Sequence, residues 1–223
     1  QPYPLLRRPL SIHARERDGV EIFFTRAGVG TAILADKKPG EMLDILGPLG
    51  KGFVLPRVPK GKTFCLVGGG RGIAPLYFLA RELQAKGGHP RVFYGGKTEA
   101  DLPLLQKFAA QKMEVFISTD DGSLGFPGLV TTMLEKELAR SAPPAWVCAC
   151  GPDPMMKRIA EIATERKIPA QLSLESIMGC GIGACWGCVR KVLRGGSAEW
   201  VKICEEGPVF EASEIIWGEK WDE

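Results

Sequence analysis

The spacing of hydrophobic residues changes character twice along the chain. Up to residue 59, short apolar stretches alternate with polar residues and are separated by turn signals at Asp18-Gly19, Gly28 and Pro39-Gly40. Short apolar runs bounded by such turns are typical of β-strands. The pattern predicts strands over residues 9–14, 20–25 and 41–46, which we interpret as part of an antiparallel barrel.

The middle of the chain alternates compact apolar runs with longer amphipathic ones. Its periodicities predict, in order, strand 63–67, helix 73–86, strand 91–94, helix 102–110, strand 113–118, helix 128–139, strand 145–149 and helix 154–166. Repeated strand–helix units imply a parallel sheet covered by helices. A further strand at 171–174 is followed by a loop rich in glycine and cysteine and by a short hairpin, 190–193 and 200–203.

Two breaks in this pattern, at Pro56-Arg57-Val58-Pro59 and near Ile168-Pro169, predict three domains. Residues 1–59 form the barrel, residues 60–168 the α/β lobe and residues 169–223 a small C-terminal domain. The expected fold class is therefore mixed α/β and β.

Composition bounds the function more than the fold. The 223 residues, 45% hydrophobic and 25% charged, are ordinary for a globular protein, and a net charge of +3 is too small to indicate a nucleic-acid partner. No apolar run approaches a membrane span, no signal peptide is recognisable, and the seven cysteines are an odd number. We therefore expect reduced thiols, a cytoplasmic location and no membrane partner. His13 and His89 fall in different segments, so we expect no histidine-based catalytic pair, no hydrolase chemistry and no catalytic residue in this chain.

Four cysteines near the C-terminus give the strongest chemical signal. They are separated by four, two and fifteen residues, which is the plant-type spacing for a 2Fe-2S cluster. Glycines 181, 183 and 187 between them are expected to adopt positive φ, so that the loop wraps the cluster and directs backbone N–H groups at the sulfurs. A structural zinc site and a disulfide pattern are the alternatives, although zinc favours two Cys-x-x-Cys pairs or mixed Cys/His sets. The four are Cys180, Cys185, Cys188 and Cys204.

Two segments of the barrel region contain residues suited to a flavin diphosphate. Arg8-Pro9-Leu10-Ser11 places a guanidinium, a fixed φ and a hydroxyl on one extended stretch. Gly28-Val29-Gly30-Thr31 offers free backbone N–H groups and a hydroxyl that can cap a helix or bind phosphate. A surface arginine and a plain turn entering a helix are the alternatives. Together the segments resemble the FAD-binding pattern of the ferredoxin-reductase superfamily.

Two glycine elements lie at the strand ends of the α/β lobe, where parallel sheets bind ligands. The first, Gly68-Gly69-Gly70-Arg71-Gly72, does not fit the dinucleotide fingerprint but resembles the pyridine-nucleotide turn of ferredoxin reductases. The second, Cys150-Gly151-Pro152, lies over the nicotinamide and flavin in that superfamily. A tight strand-to-helix turn with Asp153 as N-cap is an alternative that can hold at the same time. Cys150 itself is interpreted as a packing residue.

The order of these motifs, ending in Cys204-Glu-Glu-Gly-Pro-Val-Phe210, resembles the iron–sulfur electron-transfer subunit of the NAD-linked, class B dihydroorotate dehydrogenase over essentially the whole chain. Family members normally carry further barrel strands before the flavin motif, so an incomplete flavin barrel is expected. The resemblance implies that the four cysteines ligate a 2Fe-2S cluster. It implies that FAD contacts Arg8, Pro9, Leu10, Ser11, Thr25, Gly30 and Thr31, and that NAD binds at Gly68, Gly69, Gly70, Gly72, Cys150, Gly151 and Pro152.

The same resemblance implies a partner, an FMN-containing dihydroorotate dehydrogenase catalytic subunit of pyrimidine biosynthesis, in a heterotetramer. This chain then carries electrons from FMN to NAD through the cluster and FAD, and burial by Trp186 helps to set the cluster potential. The C-terminal segment has a net charge of −4, from five Lys and Arg against nine Asp and Glu.

Three tryptophans make that acidic segment the expected docking face, unless they pack inward: Trp186, Trp217 and Trp221. A single lysine beside a carboxylate at residues 95–99 favours NAD over NADP. Rival interpretations are a subunit of a sulfide dehydrogenase or a ferredoxin–NADP transhydrogenase, an oxygenase reductase, and a zinc-stapled interaction module.

Overall fold

The computed structural model describes residues 6–54 and 60–218. The predicted boundary at 56–59 and Trp221 lie outside the described residues. Within those ranges, every helix is too short or too polar to span a bilayer.

A seven-stranded sheet organises the molecule, in the order β11-β8-β7-β3-β4-β5-β6. Its strands are β3 (Thr63–Gly69), β4 (His89–Gly96), β5 (Glu114–Thr119), β6 (Phe126–Pro127), β7 (Trp146–Cys150), β8 (Ala170–Ser173) and β11 (Val209–Glu211). All neighbours pair in parallel except β11, which is antiparallel to β8. The predicted parallel sheet is confirmed, and β3 and β4 run further into the glycine turns at their carboxyl ends than expected.

Helices cover both faces of the sheet, as the repeated strand–helix pattern predicts. They are α2 (Ile73–Ala85), α3 (Leu105–Ala110), α4 (Val130–Arg140) and α5 (Asp153–Glu165). Alternating residues of β3 separate two cores, since Phe64 and Leu66 pack with α2 and α3 whereas Cys65 and Val67 pack with α4 and α5. This alternation is the period-two geometry of a strand buried on both faces.

The sheet extends beyond the predicted boundary at 168/169. β8 continues the parallel sheet, and β11 returns to it from beyond the cysteine loop. After the cysteine loop come a hairpin, β9 (Val189–Arg194) and β10 (Ser197–Lys202), and the short helix α6 (Ile203–Glu206). They add side chains to the core between the sheet and helices α4 and α5, here called the α5-side core, in which Val192 and Ile203 pack in one cluster with Ile159. The cysteine loop therefore rests on the α/β lobe, and the division into domains stays a prediction.

The N-terminal region contains less regular structure than its pattern predicts. Strands β1 (Ile12–Glu16) and β2 (Gly19–Ile22) form a two-stranded antiparallel ribbon, followed by helix α1 (Val29–Ala35). The predicted strand at 41–46 is wrong, because these residues have no regular structure and make no strand pairing. All four apolar side chains in that stretch are exposed, so a short apolar run does not make a strand without a pairing partner.

The ribbon is nevertheless docked on the α/β lobe. His13 of β1 is 1% exposed, its Nδ1 lies 2.9 Å from the carbonyl oxygen of Ala74, and its ring stacks on Tyr77 at 4.5 Å. Burial lowers the pKa of His13, so the imidazole is neutral at physiological pH.

Candidate cofactor sites

The cysteine loop, residues 180–188, is shaped by three left-handed residues. Gly181 and Gly183 adopt φ of 76° and 79°, as predicted. Gly187 does not, and the prediction for it is wrong; the third left-handed residue is Trp186, at φ 58°. An L-residue in this region costs about 1–2 kcal/mol. Such strain is concentrated at functional sites, where the surrounding structure imposes it.

Backbone N–H groups surround the cysteine sulfurs. Gly183 donates a hydrogen bond to the Sγ of Cys204 at 3.2 Å, and Cys204 donates one to the Sγ of Cys188 at 3.4 Å. The donors to the Sγ of Cys180, at 3.3–3.4 Å, are the N–H groups of Ile182, Ala184 and Cys185. Donors aimed at sulfur stabilise thiolates, which are the form that binds iron.

Backbone N–H groups link the four cysteines as two pairs, because Cys185 donates to the Sγ of Cys180 and Cys204 donates to the Sγ of Cys188. Backbone N–H groups of Ile182 and Cys185 lower the pKa of Cys180 to about 6, and the Cys185 thiol contributes to the same shift. Burial raises the pKa of Cys204 to about 11, with a further contribution from the neighbouring Cys188. Across residues 6–54 and 60–218, no three His, Cys, Asp or Glu side chains converge on one metal position.

This arrangement fits a two-iron cluster better than a zinc ion. A structural zinc site places four ligands around a single point. A 2Fe-2S cluster instead takes two thiolates on each of two irons, and hydrogen bonds to its sulfurs tune its potential. The paired thiols and the N–H donors around them match the second description.

The outer side of the loop is exposed, and the expected burial of the cluster by Trp186 stays a prediction. Trp186 is 54% exposed, and Lys202 Nζ lies 4.8 Å from the centre of its ring. Lys202 also pairs with Glu205 at 3.0 Å, and the Glu205 carboxylate lies against Gly183. Trp217 packs against the α5-side core, so the inward alternative holds for that tryptophan.

The glycine turn after β3 is built for close backbone packing. A Cβ on Gly72 would lie 2.1 Å from the carbonyl oxygen of Cys150, and one on Gly69 would lie 2.7 Å from the Sδ of Met155. A Cβ on Gly151 would meet Met155 at 2.5 Å. The two predicted nucleotide elements, 68–72 and 150–152, are therefore in direct contact across the carboxyl ends of β3 and β7.

Two members of these elements differ from the rest. Gly70 has φ 53° and open space around its Cβ position. Cys150 is 3% exposed, and burial raises its pKa to about 12, which supports packing over reactivity. Asp153 does not cap α5: the N-cap position is Pro152, with no side-chain cap, and Asp153 is the first helical residue.

Two further loops lie at the carboxyl ends of β4 and β5. Asp121 N–H donates to the carbonyl of Lys97 at 3.1 Å, and Glu99 N–H donates to the Oγ of Ser123 at 2.9 Å. Lys97 is the one cation in these two loops, beside the carboxylates of Glu99, Asp120 and Asp121. The charge of these two loops is therefore negative.

The structure brings Arg8 against Gly30, because a Cβ on Gly30 would lie 3.0 Å from Arg8 Nε. The Thr31 hydroxyl accepts N–H groups of Ala27 and Gly28 at 2.9 and 3.1 Å, so it holds the turn that enters α1. The other predicted flavin residues lie on extended or irregular backbone, and most are exposed: Pro9, Leu10, Ser11 and Thr25.

An ion pair that the sequence analysis missed links the cysteine loop to the nucleotide elements. Arg190, two residues after Cys188, donates to the Oδ2 of Asp153 at 2.7 Å. The Arg190 side chain is 8% exposed and that of Asp153 is 34% exposed. The signal was an arginine at an inward position of β9, on the same strand face as the buried Val192.

Comparison with known proteins gives two family matches. Residues 175–216 match the iron-sulfur cluster binding domain of dihydroorotate dehydrogenase B, and residues 66–161 match an oxidoreductase NAD-binding domain.

Curated relatives match almost the whole chain. The "Dihydroorotate dehydrogenase B (NAD(+)), electron transfer subunit" of Bacillus caldolyticus is 45% identical over 215 residues, covering 96% of this chain and 81% of the relative. Proteins of the same name from Desulforamulus reducens and Enterococcus faecalis are 40% and 42% identical to this chain. In each case the matched region covers 81% of the relative.

Solved structures agree on the fold. An NADH-dependent reduced ferredoxin-NADP oxidoreductase, studied for flavin-based electron bifurcation, superposes with a TM-score of 0.79 at 30% sequence identity. The superposition covers 95% of this chain and 75% of the oxidoreductase chain. A flavohemoglobin from Malassezia yamatoensis with bound FAD and heme superposes at 0.51 with 18% identity, over 71% of this chain and 43% of its own, and supports the fold alone.

Proposed function

Because the chain belongs to the family of dihydroorotate dehydrogenase B electron-transfer subunits, we propose that it conducts electrons between a dihydroorotate-oxidising partner and NAD. The observation that carries the proposal is the loop of paired cysteine sulfurs lined with N–H donors, built directly onto a nucleotide-binding sheet. When bound, the 2Fe-2S cluster supplies one-electron transfer and FAD supplies exchange between single electrons and the electron pair of NAD.

The residues of the chain hold and orient these groups. Cys180 and Cys185 form one thiolate pair and Cys188 and Cys204 the other, and the surrounding N–H groups offset the negative charge of the sulfurs. The buried side of the loop, against the α5-side core, excludes water from Cys188 and Cys204. No proton-transferring side chain is required, since the redox chemistry belongs to the cofactors.

FAD is proposed to bind where Arg8 lies against Gly30. Arg8 is exposed and uses one guanidinium nitrogen on the carbonyl of Leu6 at 2.6 Å, which leaves further donors for a diphosphate. The remaining contacts proposed from the family resemblance are Pro9, Leu10, Ser11, Thr25 and Thr31. Replacing Arg8 with Ala is expected to weaken FAD affinity, measured by flavin release on dilution, whereas Arg17→Ala on the turn between β1 and β2 serves as a matched surface control.

NAD is proposed to bind across the contact between the two glycine elements: Gly68, Gly69, Gly70, Gly72, Cys150, Gly151 and Pro152. The negative charge of the loops that carry Glu99, Asp120 and Asp121 disfavours the 2′-phosphate of NADP, which requires cations. We therefore expect higher kcat/KM for NADH than for NADPH in dye reduction. Comparable values for the two nucleotides would remove this part of the proposal.

The partner is proposed to be an FMN-containing catalytic subunit in a heterotetramer, docked on the exposed side of the cysteine loop. Trp186 at 54% and Ile182 at 59% exposure are apolar side chains of this loop, and the ion pair of Lys202 with Glu205 lies beside Trp186. Aromatic residues surrounded by polar ones are typical of interface centres.

Co-expression with the dihydroorotate-oxidising flavoprotein of the same cells tests the proposal. We expect a stable complex that reduces NAD with dihydroorotate, and an isolated chain that shows only NADH-to-dye activity. Iron and acid-labile sulfide should be present in equal amounts, with an EPR signal after reduction. Stoichiometric zinc, or dihydroorotate oxidation by the isolated chain, would overturn it. A flavoprotein partner that reduces ferredoxin or oxidises sulfide would favour the transhydrogenase or sulfide-dehydrogenase alternative, for which the superposition on a ferredoxin-NADP oxidoreductase is the supporting observation.

A further inference from the structure

One arginine is the charged side chain that the structure buries most deeply among its described residues. Arg190 is the charged member of the buried polar residues, at 6% exposure, and its Nε has no hydrogen-bond partner within residues 6–54 and 60–218. Burying a guanidinium is costly, and a buried ion pair often stabilises a fold no better than apolar side chains of similar volume. The presence of Arg190 therefore calls for an explanation other than stability.

The position of this pair in the chain suggests one. Arg190 is on β9, two residues after Cys188 of the proposed cluster site. Asp153 opens α5 and directly follows Cys150-Gly151-Pro152 of the proposed nucleotide site. A single 2.7 Å contact thus joins the strand that leaves one cofactor site to the helix that leaves the other.

We propose that Arg190 and Asp153 are positioning residues that fix the cluster loop relative to the nucleotide elements. This inference rests on the proposed function, since it assumes that electrons pass between the cluster and the nucleotide by way of FAD. Apolar packing between β9 and α5 holds the two parts together but tolerates small shifts. A charge-assisted hydrogen bond has a preferred direction and distance, so it selects one arrangement.

The two partners differ in burial, and this makes a clean test available. Arg190→Met removes the buried charge and leaves Asp153 in partial contact with solvent. Asp153→Asn leaves the arginine charge buried and is expected to destabilise the fold. The double variant Arg190→Met with Asp153→Asn removes both charges, and replacing a whole buried pair is often neutral for stability. Arg158→Met on α5, whose ion pairs with Glu135 and Glu161 are more exposed, is the matched control.

The readout is the distance between the reduced cluster and a nitroxide label on α5. Lys157→Cys provides an exposed labelling site one turn after Asp153, and the three cysteines other than the four proposed cluster ligands, at positions 65, 148 and 150, are buried. The parent protein and the Arg158→Met control should give one narrow distance distribution by pulsed EPR. In Arg190→Met this distance distribution should broaden or shift. The double variant should show the same change, although its melting temperature should be higher than that of Asp153→Asn.

A second readout follows the electrons. After mixing with NADH, bleaching of FAD followed by stopped-flow absorbance should be unchanged in Arg190→Met, whereas the reduced-cluster EPR signal of freeze-quenched samples should appear about tenfold more slowly. An unchanged distribution in Arg190→Met, or a narrow one in the stable double variant, would mean that the pair is structural and would overturn the inference. A parent protein without a reduced-cluster signal would instead reject the proposed function.

Discussion

The cysteine loop and the glycine turn after β3 (residues 68–72), here called the nucleotide turn, are both rich in glycine, but glycine has a different role in each. In the cysteine loop, Gly181 and Gly183 are left-handed, and the loop directs N–H groups toward sulfur. In the nucleotide turn, Gly69 and Gly72 have ordinary φ but no room for a Cβ, because another backbone or side chain lies there. One loop needs the conformational freedom of glycine and the other needs its small size.

This difference predicts how well each segment keeps its shape without a ligand. The nucleotide turn is part of a packed core contact between β3 and β7, so it keeps its shape without a ligand. The cysteine loop is held by N–H···S hydrogen bonds at 3.2–3.4 Å, one strained tryptophan and a surface contact from Lys202. We therefore expect the loop to depend on its cluster far more than the turn depends on NAD.

The largest expected effect comes from Cys185→Ser. Losing one thiolate of a pair should abolish cluster binding, measured as iron content and the EPR signal of the reduced protein. The nucleotide turn is a separate packed unit, so NADH should still reduce FAD in this variant at the parent rate. If FAD reduction disappears in a variant that retains FAD, the two loops are not independent and the comparison fails. Cys65→Ser, a buried cysteine of β3, is the control for thiol loss.

The second expected effect is that of Gly72→Ala. A Cβ 2.1 Å from the carbonyl oxygen of Cys150 cannot be accommodated without separating β3 from β7. Overpacking of this kind costs about 1–3 kcal/mol or more of unfolding free energy, measured by denaturant unfolding. NADH affinity should fall as well, while the cluster EPR signal stays. Ala74→Ser is the control, because Ala74 is also buried and lies two residues later, in α2. It measures the loss of unfolding free energy when one small atom is added away from the contact between Gly72 and Cys150.

Sequence patterns predicted the α/β lobe well because its signals are local. Each strand and helix of the lobe has its own period, and burial on both faces of β3 makes a continuous apolar run that a turn signal ends. The cysteine spacing was equally informative, because thiolate geometry restricts how far apart four ligands lie along the chain.

The misses depend on contacts that no local pattern encodes. Residues 41–46 form a short apolar run after a turn signal, but a strand requires a pairing partner. Gly187 and Trp186 exchange the expected conformations, because closure of the whole loop decides which residue is left-handed. Aspartate is a residue type that often caps helices, but the Asp153 carboxylate accepts a hydrogen bond from Arg190 on a distant strand.

A moderate effect is expected for Gly183→Ala in the cysteine loop. Alanine at φ 79° costs about 1–2 kcal/mol, and its Cβ would press on the Glu205 carboxylate, which is the flexible end of a side chain. We expect slower cluster incorporation and faster cluster loss on exposure to a chelator, followed by visible absorbance. Gly187→Ala, at a position with ordinary φ and its nearest neighbour 3.5 Å away, should behave like the parent. Equal cluster loss in the two variants would show that conformation is not what the loop requires of its glycines.

The smallest expected effect is that of Gly70→Ala, which tests the comparison at its exception. Gly70 belongs to the nucleotide turn but has the left-handed φ of the cysteine loop, 53°, and open space where a Cβ would be. Alanine there costs about 1 kcal/mol, so the melting temperature should fall only slightly and FAD binding should not change. The added methyl group would project into the space that the proposed nucleotide approaches, so NADH affinity should fall by more than the stability loss explains. Unchanged affinity, measured by NADH titration of the FAD-loaded chain, would mean that Gly70 serves the turn alone and that the nucleotide approaches elsewhere along the sheet edge.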